Sequence, residues 1–83
     1  MQARYSRLIA EGQQAWVQDD LKARATLLAW LEGELSLEDA APTYASCFPP
    51  VARMDPERVK RTWSSWNPAR KKMLAEQIRR SMS

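Results

Sequence analysis

The side chains best suited to chemistry in this chain are cations. Residues 52–83 carry nine basic residues (Arg53, Arg58, Lys60, Arg61, Arg70, Lys71, Lys72, Arg79 and Arg80) against three acids (Asp55, Glu57 and Glu76), a local net charge of +6. Residues 1–51 reverse the sign, with four basic residues and seven acids, a local net charge of −3. Guanidinium and ammonium groups recognise carboxylates and phosphates, so the basic stretch is a candidate docking face for an acidic protein surface or a nucleic-acid backbone. Two overlapping sets follow. Lys72, Arg79 and Arg80 lie on the polar side of the last predicted helix and, with Trp30, make the candidate partner-binding set. Arg58, Lys60, Arg61, Arg70, Lys71 and Lys72 make the alternative, nucleic-acid-binding set, with Trp63 and Trp66 placed among cations as single-strand binders place their stacking residues.

Each feature also has a plainer reading. Lys72, Glu76 and Arg80 stand at i, i+4 and i+8, a solvated face with intrahelical ion pairs worth a few tenths of a kcal/mol each. Val59, Trp63 and Trp66 share one helical face, the pattern of a core stripe rather than of a stacking platform.

Catalytic chemistry has little to work with. The sequence contains no His, which removes the commonest general base and metal ligand. Its one cysteine, Cys47, cannot form an intrachain disulfide or a thiolate metal site and reads as a small buried residue of a reducing compartment. No phosphate-binding glycine loop, dinucleotide fingerprint or nucleophile elbow occurs. The carboxylate pairs Asp19–Asp20 and Glu38–Asp39 fall at predicted helix starts, where capping explains them better than paired acid–base work or a Mg²⁺ site. No enzyme activity, cofactor or metal is therefore expected.

The elements that would position these residues read as follows. Ala3–Gln18 has Tyr5, Leu8, Ile9, Gly12, Ala15 and Trp16 at spacings of three and four, which predicts an amphipathic helix, with Gly12 marking a close backbone approach. Asp19 or Asp20 caps a second helix that packs antiparallel on the first. That helix, Leu21–Leu35, holds the densest apolar run, Thr26–Leu31. The spacing turns Leu21, Ala25, Leu28 and Leu35 inward, with Leu27 and Leu31 widening that side, and sends Ala23 and Trp30 nearly the opposite way. Ser36 opens a short helical turn over Leu37–Ala41, and Pro42 separates it from a second short piece ending at Phe48. Phe48-Pro49-Pro50-Val51 breaks the chain. Asp55-Pro56-Glu57 and Asn67-Pro68 both place a capping residue before a proline, predicting helices over about Pro56–Ser65 and Pro68–Met82. The last carries a thin stripe of Leu74, Ile78 and Met82, with Met73 at its edge. No alternating strand pattern is apparent.

The expected fold is all-α: a small bundle of about four helices with an irregular Pro-containing middle, in one domain of 83 residues. Within it, residues 1–48 form an acidic helical hairpin plus short turns, 49–54 a Pro-containing connection and 55–83 a basic helical pair. A chain this short is marginally stable alone, so a second copy or a partner subunit is a further expectation. No apolar run is long enough to cross a membrane, the N-terminus lacks the apolar core of a signal peptide, and the cytoplasm is the expected location. By exclusion, the function is binding to another macromolecule, as an adaptor, assembly factor or inhibitor. The nearest analogy is with small accessory proteins that inhibit host-defence or regulatory complexes. A nucleic-acid-binding regulator is the alternative.

Overall fold

The computed structural model describes residues 6–10, 13–17, 19–50 and 54–82. Among these residues are two strands, β1 (Ser6–Ala10) and β2 (Gln13–Val17), and four helices, α1 (Asp20–Leu31), α2 (Leu37–Ala45), α3 (Pro56–Ser64) and α4 (Pro68–Met82). The fold class is all-α, a small helical bundle in which α1 packs on α2 and α4, and α2 on α3.

The first predicted helix is instead an antiparallel β-hairpin. Ser6 pairs with Val17, Leu8 with Ala15 and Ala10 with Gln13. A two-residue link ending in Gly12, between runs containing Ile9, Trp16 and Val17, suits a hairpin as well as spacing of three and four suits a helix. The antiparallel helix pair expected over residues 1–35 therefore does not form. The close approach expected at Gly12 lies outside the described residues.

From Asp19 onward local chemistry sets the boundaries. A carboxylate oxygen of Asp19 accepts the Lys22 amide at 3.1 Å, capping α1. The Asp19 amide in turn donates to the Cys47 carbonyl at 3.1 Å, tying the start of α1 to the chain just past α2. α1 stops at Glu32 because Gly33 takes a φ of +80°. The Gly33 amide bonds the Trp30 carbonyl at 3.0 Å and the Glu34 amide the Ala29 carbonyl at 2.8 Å, the paired bonds of a Schellman motif.

The inward face of α1 is Ala23, Thr26 and Leu27, all buried, with Trp30 half-buried beside them. Leu21 is 69% exposed and Ala25 is exposed, whereas Leu27 is buried as expected and Leu28, Leu31 and Leu35 are half-buried against the core. The inward face is therefore rotated toward Ala23 and Trp30 relative to the expected stripe. The helix is apolar almost all round, and its own spacing does not single out the side that α2 and α4 cover. Ala23 is fully buried because a small side chain suits a close approach of neighbouring elements.

The two short pieces expected around Pro42 are one helix. The Ser36 hydroxyl accepts the Asp39 amide at 3.2 Å, and the ladder runs through to Ser46, whose amide reaches the Pro42 carbonyl at 3.0 Å. Pro42 is exposed, so the donor it lacks falls on the solvent side and the helix persists. The α3 and α4 starts agree with the cap-then-proline pattern: Asp55 accepts from Glu57 at 3.2 Å and Asn67 from Arg70 at 2.8 Å.

An aromatic cluster centres the core. Trp63 is fully buried, stacks on Trp30 with centroids 4.8 Å apart, and meets the Tyr44 ring edge-on at 4.8 Å. Trp66, 5% exposed, lies 6.1 Å from both Trp30 and Trp63. Phe48, Val59, Ala40, Ala41 and Ile78 complete the packing. On α4, Ala75 and Ile78 are buried and Leu74 half-buried, while Met73 and Met82 of the expected stripe are exposed.

Candidate binding groove

α4 presents a row of residues at spacings of three and four, Pro68, Lys71 and Lys72, Ala75 and Glu76, then Arg79, toward the C-terminal end of α1. With Leu31 and Glu32 they line a groove of about 410 Å³. Its apolar part is Leu31, Pro68 and Ala75; its charged part is Lys71, Lys72 and Arg79 against Glu32 and Glu76. The volume lies in the range that accommodates a small ligand or a few side chains of a partner.

Local structure fixes its walls. The Schellman turn ends α1 at Glu32, whose carboxylate accepts from the Arg79 guanidinium through Nε at 2.8 Å and also through Nη2. This pair joins the two helices at one end of the groove and sets a cation beside the carbonyl end of α1, which has no basic residue in its own last turn. Lys71 is half-buried, with its ammonium 5.0 Å from the centroid of the Trp30 ring, a cation–π contact. Lys72 and Glu76 are exposed on the rim.

The expected site residues therefore divide. Lys72 and Arg79 of the first set meet in the groove; Arg80 is exposed but does not line it. Trp30 does not point away from the core as its helical position implied. It is half-buried, stacked on Trp63, and contacts the groove residue Lys71 without lining the groove itself. Of the alternative set, Lys71 and Lys72 line the groove, while Arg58, Lys60 and Arg61 belong to α3 and Arg70 is half-buried. The Lys60 ammonium bonds Glu38 of α2 at 2.8 Å and Glu57 at 3.2 Å. These two bonds raise its pKa above the ordinary lysine value, Glu38 contributing most. Trp63 and Trp66 are core residues, not an exposed stacking surface. The acidic and basic halves of the chain meet at Glu38–Lys60 and at Glu32–Arg79.

Leu31, Glu32, Pro68, Ala75 and Glu76 also line the groove, though the sequence marked none of them as a site residue. The α4 row was visible as spacing, but its pairing with a helix end more than thirty-five residues earlier had no local mark. Three of the four carboxylates at the helix starts act as caps or in ion pairs: Asp19 caps α1, Asp20 pairs with Arg24 at 3.0 Å and Glu38 with Lys60. Among the described residues no group of three His, Cys, Asp or Glu could hold a metal ion, and no helix is long and apolar enough to cross a membrane. Burial raises the pKa of Cys47, Asp19 adding to the effect and Lys22 opposing it. This direction keeps the thiol protonated and unreactive. Compared with family models, with curated proteins and with solved structures, the chain matches none.

Proposed function

We propose that this chain is a non-catalytic binding module that docks another protein in the α1–α4 groove, as an adaptor, assembly factor or inhibitor. The observation that carries this reading is the groove itself: an apolar strip of Leu31, Pro68 and Ala75 bordered by charged side chains from two helices. That combination of an apolar centre and a charged rim is the anatomy of a protein-binding patch. Nucleic-acid binding draws less support. Both tryptophans that could stack on bases are buried, and Lys60 and Arg79 are committed to carboxylates within the fold.

The test uses Glu76→Trp, a substitution at an exposed rim position that fills the groove. Capture from a lysate of the source cell, with and without nuclease, should recover a protein on the unaltered chain that the Glu76→Trp chain loses. Capture that depends on nucleic acid, or that is equal on both chains, would overturn the proposal.

A further inference from the structure

We infer that the partner segment taken by the groove is acidic, bearing Asp or Glu beside an apolar anchor residue. This rests on the groove being the docking site and specifies its chemistry. α4 carries five cations, Arg70, Lys71, Lys72, Arg79 and Arg80, and one acid, Glu76. Within the groove, Glu32 and Arg79 satisfy each other, which leaves Lys71 and Lys72 against Glu76 and a surplus of positive charge. Lys71 lies over the Trp30 ring, a contact that favours one placement of the ammonium a carboxylate would meet. Leu31, Pro68 and Ala75 give the anchor residue an apolar seat.

An extended polyanion fits this lining less well. Its regularly spaced phosphates would have to pass the carboxylate of Glu76, whereas a peptide can set one or two carboxylates at Lys71 and Lys72 and turn neutral groups elsewhere. Charge-assisted bonds of this kind place specificity on a small number of partner side chains.

Selection from a random-peptide display library against the immobilised chain tests this. The recovered peptides should be enriched in Asp and Glu over the input library. They should lose roughly tenfold or more in affinity on the Lys71→Gln/Lys72→Gln chain, the loss for one or two charged hydrogen bonds, and weaken as salt rises. They should also lose binding to Glu76→Trp. That variant removes an acid, so electrostatics alone would strengthen an acidic ligand, and loss there reports steric filling of the groove. Neutral or basic peptides that still require an open groove would overturn the acidic partner and leave the groove standing. Peptides that bind the Glu76→Trp chain equally would overturn both. Binding of a duplex or single-stranded oligonucleotide of equal charge, tighter than the peptides, would replace the acidic segment with nucleic acid.

Discussion

Tyr44→Phe should make this protein more stable. Tyr44 is fully buried in α2, with its ring edge-on to Trp63 at 4.8 Å and tilted against Phe48 at 5.1 Å. Its hydroxyl is buried without a hydrogen-bond partner among the described residues. A buried donor left unpaired costs about 1–3 kcal/mol of desolvation. Removing the oxygen keeps both ring contacts and leaves an oxygen-sized void, which at ~24 cal/mol per Å³ costs a few tenths of a kcal/mol. The net expectation is about 1 kcal/mol of stabilisation, a rise in Tm of roughly 4–8 °C for a domain this small. The same hydroxyl carries a pH signature. Burial, with smaller contributions from Cys47 and Asp20, raises the Tyr44 pKa, so the folded state holds the phenolic proton more tightly than the unfolded chain, where the pKa is about 10. That contribution is complete below pH ~10 and is lost as pH rises beyond it. The advantage of Tyr44→Phe should therefore widen above pH ~10. Urea and thermal unfolding of both chains at neutral and alkaline pH would measure it. A loss of about 1 kcal/mol or more on substitution would refute the reasoning, since it would mean that the hydroxyl has a partner in solution.

Three further outcomes test the packing, capping and ion pairs. Leu27→Ala should cost ~2–5 kcal/mol, the range for a buried leucine, while the half-buried Leu28 should cost less than half as much; the reverse order in urea unfolding would restore the α1 facing expected from spacing alone. Asn67→Ala should cost ~0.5–2 kcal/mol by removing the 2.8 Å cap on Arg70, and an unchanged Tm would place the start of α4 elsewhere. Glu38→Gln should lower the Lys60 pKa toward the ordinary value of about 10.4, because Glu38 is the larger cause of its elevation. The stability that Lys60 contributes, present below that value and lost as pH rises through its raised pKa, would then disappear at lower pH. An unmoved Lys60 side-chain NMR titration would show that the pair does not form in solution.

Where the sequence was legible, local chemistry was the reason. Asp55-Pro56 and Asn67-Pro68 mark the starts of α3 and α4 because a cap and a fixed proline φ act within one turn. The same holds for Asp19 and Ser36, and the shared face of Val59, Trp63 and Trp66 identified the core side of that segment. Elsewhere two patterns fitted equally well. Ser6–Val17 satisfies both a helical spacing and a hairpin with a two-residue link. In α1, the stripe of Leu21, Ala25 and Leu28 looks as apolar as that of Ala23, Leu27 and Trp30, and contacts with α2 and α4 decide between them. Pro42 interrupted the reading but not the helix, since the missing donor faces water. The groove was the least legible feature. Lys72 and Arg79 were visible as cations, but Glu32, 47 positions before Arg79, becomes their neighbour only when α4 packs on α1.

Amide chemical-shift mapping tests the groove most directly. A peptide recovered by the display selection, added to the isotope-labelled chain, should shift the amides of Leu31, Glu32, Lys71, Lys72, Ala75 and Arg79, together with the Trp30 indole. Shifts centred instead on Arg58 and Arg61 of α3, with the α1–α4 residues unmoved, would contradict a binding site at this groove.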